Sequence, residues 1–88
     1  GPLFPAREQL AEMLLLMGRH AEAQREFEAV QQTEPRRFRA VHGAGRSAEL
    51  AGDRDAARRH YGNLLEIASK AETPREDLAT ARAWLARN

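Results

Sequence analysis

Met13, Met17 and His20 stand at i, i+4 and i+7, a spacing that puts two thioethers and an imidazole on one face of a continuous helix. Such a set could hold a soft ion such as Cu(I). The competing reading is packing. Methionine fills irregular cores, and Gly18 breaks a helix before His20 can extend the face. Packing is favoured, so no cofactor is expected and the copper site stands as the alternative. Catalytic chemistry finds fewer parts still. Nucleophilic catalysis needs a nucleophile, a base and an orienting group that converge. The chain has no cysteine, two serines, three histidines and one tyrosine. Ser47 and His42 are five residues apart and do not share a helical face, and His60 has no ligand-like neighbour in sequence. The residues read as those of a binding protein, not of an enzyme.

Composition narrows the class of partner. With 14 Lys+Arg against 13 Asp+Glu in 88 residues, the chain lacks the charge excess that draws proteins to nucleic acid or to a polybasic membrane contact. The longest apolar run, Met13 to Met17, falls far short of the roughly 20 residues of a membrane span, so no membrane insertion is expected. The absence of cysteine excludes disulfides and thiolate metal sites. Gly1-Pro2 reads as the scar of a cleaved tag, making residues 1–4 a tag remnant and N-terminal extension and the chain a piece of a longer protein. Thirteen arginines against a single lysine fit a GC-rich bacterial genome.

The elements that must position these residues are helices. Ala, Leu, Glu, Gln and Arg dominate, and β-branched runs are missing. A first helix is expected over 5–17, burying Leu10, Met13, Leu14 and Met17 before Gly18. A second spans 21–33 with Ala23, Phe27, Val30 and Gln31 on one face. Pro35 opens a third over 35–51, which Gly52 stops. Asp53 caps a fourth over 54–71, whose inner face holds Ala57, Tyr61, Leu64, Leu65 and Ala68. Thr73-Pro74-Arg75-Glu76 has the form of a capping box and opens a fifth, 73–88, burying Leu78, Ala81 and Leu85. Trp84 lies just off that stripe and is read as core against the fourth helix.

A shift of 34 residues lays Ala11 on Gly45, Gly18 on Gly52, Ala23 on Ala57 and Phe27 on Tyr61. Small residues meet small ones and aromatic meets aromatic, the mark of stacked helical hairpins. G-R-H-A-E-A-Q-R-E-F at 18–27 and G-D-R-D-A-A-R-R-H-Y at 52–61 resemble the central signature of the tetratricopeptide repeat family, with Pro35 where a repeat usually ends. The resemblance implies an all-α, five-helix, helical-hairpin solenoid fragment: repeat 1 over 5–34, repeat 2 over 35–72 and a capping helix over 73–88. The chain departs from the family near the start of each repeat's first helix, where the usual bulky residue is replaced by Arg7 in one repeat and Val41 in the other.

In stacked hairpins the first helix of each pair lines the concave side. That face is expected to present Glu8, Glu12, Leu15 and Leu16 from one repeat, and Arg39, His42, Arg46, Glu49 and Leu50 from the next. A peptide or protein segment is the partner such a surface suits, held by charge pairing and a few apolar anchors. Some family members grip a chaperone's C-terminal carboxylate at these positions, but Glu8 and Glu12 would repel one, so that activity is not carried over. Arg36, Arg37, Arg39 and Arg46 could meet an acidic segment, since arginines at a helix start need a neutralising partner or Glu34. Nucleic acid is not expected, because Phe38 is the only aromatic among them and is read as buried. Two repeats fall below the roughly three that stack stably. Either further repeats or a homo-oligomer is therefore expected, with Leu3, Phe4 and Leu14-Leu15-Leu16 as the apolar candidates for covering.

Overall fold

The computed structural model describes residues 4–69 and 76–88. These residues form five α-helices and, among them, no strand: α1 (Phe4–Leu16), α2 (His20–Thr33), α3 (Phe38–Ala51), α4 (Arg54–Ser69) and α5 (Glu76–Arg87). Each helix packs on the next, and α1 also touches α3. No described helix is long and apolar enough to cross a membrane. Gly1 to Leu3, and Thr73 to Arg75 with their capping box, lie outside the described residues, as does the side chain of Phe4.

The two helical hairpins turn by the same bonds. Gly18 and Gly52 adopt left-handed φ angles of 81° and 82°, a conformation glycine enters without Cβ strain. Arg19 N–H then donates to Leu14 C=O at 2.9 Å and Gly18 N–H to Leu15 C=O at 3.1 Å. The corresponding bonds are Asp53 N–H to Ala48 C=O at 2.9 Å and Gly52 N–H to Glu49 C=O at 3.2 Å. This is the Schellman pattern, which satisfies the last carbonyls of a helix. The expected Asp53 cap forms, its Oδ1 accepting from Ala56 N–H at 3.2 Å.

α3 is the middle of the molecule. Ala40, Val41, Ala44 and Ala48 are fully buried, and two glycines admit aromatic rings from either side. A Cβ built on Gly43 would collide with the Phe27 ring, and one on Gly45 would come within 2.7 Å of the Tyr61 ring. Phe27 belongs to a cluster with Ala11, Leu14, Ala23 and Ala44. Tyr61 belongs to the larger one with Val41, Leu64, Leu78 and Trp84. Trp84 is core as expected, its ring 5.7 Å from that of Tyr61.

Two expectations need correction. Helix three begins at Phe38, not at Pro35, because Arg37 N–H closes a turn onto Glu34 C=O at 3.1 Å and Arg37 itself is extended, with ψ of 110°. On α1, Leu10, Met13 and Met17 are 45%, 59% and 60% exposed. The face that packs holds Glu8, Ala11 and Leu14. α2 and α3 both approach α1 from that side, and its apolar residues extend beyond what the two can cover.

The packing of α3 gives opposite outcomes for two alanines. Gly43→Ala should cost about 1–2 kcal/mol in urea unfolding, an overpacking penalty that outweighs the gain in helix propensity. Phe27→Leu should cost less in that background than in the wild type. Ser47 is fully buried and its hydroxyl has no hydrogen-bond partner among the described residues, so Ser47→Ala should stabilise by about 1 kcal/mol.

Asp53 predicts a pH dependence. Its carboxyl is held below the usual aspartate value of 3.8 by hydrogen bonds from Gln24 and then from Ala56 N–H. A depressed folded value means stability that is present above the unfolded value and lost as pH falls through the folded one. Asp53→Ala should therefore lower the melting temperature at neutral pH. It should also flatten the acid-side loss between about pH 5 and pH 2 in thermal melts.

Candidate functional site

A cleft of about 300 Å³ opens where α1, α2 and α3 meet, lined by Glu12, Leu15, Phe27, Arg39, His42, Gly43 and Arg46. Helix periodicity explains the convergence. On α3, Arg39, His42 and Arg46 repeat at three- and four-residue intervals along the side that faces the cleft. Glu12 and Leu15 occupy the matching side of α1. Gly43 and the Phe27 ring packed against it line the cleft together with Leu15, so its apolar part is Leu15 and Phe27 and its rim is charged.

The rim charges pair within the chain. Arg39 Nη2 donates to Glu12 Oε2 at 2.6 Å. Arg37 donates to Glu8 through Nε at 2.6 Å and Nη2 at 3.1 Å, and Arg39 Nε lies 4.0 Å from the same carboxylate. Arg46 Nη1 is 3.6 Å from Glu49 Oε1, which also accepts the Tyr61 hydroxyl at 2.7 Å. Burial, and then the bond to Glu49, raises the Tyr61 phenol above its ordinary pKa, so it remains a neutral donor. The Glu8 hydrogen bond, followed by that carboxylate's charge, likewise raises Arg37. Arg37 sits at the α3 N-cap, where a cation faces the positive end of the helix dipole, and Glu8 offsets that placement.

Of the residues expected on the open face, Glu12, Leu15, Arg39, His42 and Arg46 line one cleft. Glu8 does not reach it as a free group: it is 4% exposed and held by Arg37. Glu49 takes the Tyr61 hydroxyl and lines a separate hollow of about 150 Å³ with Gly52, Arg54, Trp84 and Asn88. Phe27 and Gly43 were missed as cleft residues. The signal was present in part, since the 34-residue shift lays Phe27 on Tyr61, but a period alone does not say that its ring lies beside an opening. Met13 and Met17 point outward, and the Gly18 turn places His20 at the start of α2, so the three do not form one helical face. Among the described residues no group of three or more His, Cys, Asp or Glu could hold a metal ion.

No family model matches the chain, and neither a curated protein nor a solved structure matches it.

The Glu8–Arg37 pair predicts a coupled response. Glu8→Ala should lower the melting temperature, and Arg37→Ala added to it should lower it little further, because each residue's main partner is the other. A double-mutant cycle by thermal unfolding checks this.

Proposed function

We propose that the chain is a tetratricopeptide-type array of two helical hairpins with a capping helix, and that it acts as a protein-interaction module rather than as an enzyme. Its partner is a peptide or protein segment that enters the cleft between α1 and α3. One observation carries the reading: five residues assigned to a common face from their spacing surround a single opening with an apolar part. The matching turns at Gly18 and Gly52, 34 residues apart in sequence, support the repeat reading.

The cleft narrows the kind of segment. At about 300 Å³ it lies at the small end of ligand pockets, room for one or two side chains and not for a whole ligand. The rim pairs Arg39 with Glu12 and Arg46 with Glu49, so it has no large excess of either charge. The segment that fits places an apolar side chain against Leu15 and Phe27 and exchanges charges of both signs with the rim.

Selection of displayed peptides against the chain tests this. The reading expects selected sequences with an apolar anchor flanked by charges. Arg46→Glu and Leu15→Arg should each weaken their binding by tenfold or more, about 1.4 kcal/mol, with unchanged helical circular dichroism. Exchanging Glu12 and Arg39 for one another should keep the fold but change which flanking charges are chosen. Undiminished affinity in both single variants would remove the cleft as the site.

A further inference from the structure

The side of α1 turned away from α2 and α3 carries Ala6, Gln9, Leu10, Met13, Leu16 and Met17. Leu10, Met13, Leu16 and Met17 are 45%, 59%, 88% and 60% exposed, and Ala6 and Gln9 are exposed as well. None of the six is charged, although 31% of the chain is Asp, Glu, Lys or Arg. The charged residues of α1 are directed elsewhere, Arg7 to Glu26, Glu8 to Arg37 and Glu12 to Arg39. We propose that this face docks on the same face of a second copy of the chain, forming a two-fold dimer. The proposal is independent of the cleft.

Three observations fix the occupant. The first is area. The four large side chains together expose on the order of 500 Å², as much as the largest apolar patch of an ordinary monomer. Complete burial of two such faces would remove about 1,000 Å², the least that a specific interface needs. The second is charge. A two-fold axis sets the face against itself, residue i on j and j on i, which a face carrying one sign of charge would resist and this uncharged one does not. An acidic or basic partner would find nothing here to pair with.

The third is shape. Shifted by 34 residues, Ala6, Gln9, Leu10 and Met13 fall on Ala40, Gly43, Ala44 and Ser47, all buried. That stretch of α3 is the one α2 packs on, with the Phe27 ring against Gly43. The α1 face is thus the counterpart of a helix–helix interface already present in the chain, but with Gln for Gly, Leu for Ala and Met for Ser. An approach like that of α2, with an aromatic ring driven into a glycine notch, is closed to it. What the bulky side chains allow is a wider contact between two helices of the same kind, and a second α1 supplies one.

Sedimentation equilibrium over a concentration series tests the dimer. The wild-type chain should pass from monomer to dimer as concentration rises. Met13→Glu, and separately Leu16→Lys, should sediment as monomers with unchanged helical circular dichroism, since both positions are solvent-exposed in the monomer. Because the chain has no cysteine, Met13→Cys offers a clean second probe. Near the middle of the face, it should form a disulfide-linked dimer under mild oxidation at least tenfold faster than Thr80→Cys on the exposed side of α5. Arg46→Glu should still dimerise, which separates this face from the cleft. A wild type that stays monomeric up to its solubility limit overturns the proposal, as it would if a preceding helix of a longer chain or a lipid surface were the true cover. So does a dimer that survives both charge substitutions, or equal cross-linking at positions 13 and 80.

Discussion

Two aromatic rings lie against two glycines of one helix, Phe27 on Gly43 and Tyr61 on Gly45, and the positions of the other elements follow from that close approach. α3 is enclosed on two sides because its residues there are small, so α2 and α4 come close and their rings occupy space that side chains would otherwise take. The same narrowness spreads outward. Phe27 carries Ala11 and Leu14 of α1 into its cluster, while Tyr61 carries Trp84 of α5 into the other. In so small a chain most of the core is one layer of side chains on either side of α3, and a single added methyl group there is felt throughout.

The charged residues have a different task. Glu8 with Arg37, Glu12 with Arg39, Arg7 with Glu26 and His60 with Glu28 each join separate helices. Gln24 reaches Asp53 at 3.0 Å from α2 to the cap of α4. Most of these pairs are partly open to solvent, where an ion pair contributes little to stability. Their effect lies in register, since each fixes how one helix slides along another. The Glu12–Arg39 pair also offsets charge at the cleft, beside the apolar patch of Leu15 and Phe27.

α1 therefore has two working sides. One carries Glu12 and Leu15 toward α3 and the cleft, and the other carries Leu10, Met13, Leu16 and Met17 outward. A helix in the middle of the chain, such as α3, spends both flanks on its neighbours and leaves only a strip for solvent. α1 is flanked on one side only by described residues, so apolar positions that the period assigns to packing stand open.

The sequence by itself determined the helices, their turns and the pairing of positions 34 apart, because these depend on local causes: glycine at a left-handed φ, a cap at Asp53, apolar residues at three- and four-residue intervals. Helix periodicity also put Arg39, His42 and Arg46 of α3 on one side, but the same reading added Glu49, which the fold gives to Tyr61 and a separate hollow. Tertiary structure alone decided that helix three starts at Phe38, after Arg37 turns back toward Glu8 on another helix. It alone decided that Glu8 is consumed by that arginine, that Phe27 and Gly43 line the cleft, and that Leu10, Met13 and Met17 face outward. Each of those outcomes depends on which side a distant helix approaches from, and a helix's own residues show how many of its faces are apolar without showing which of them will be covered.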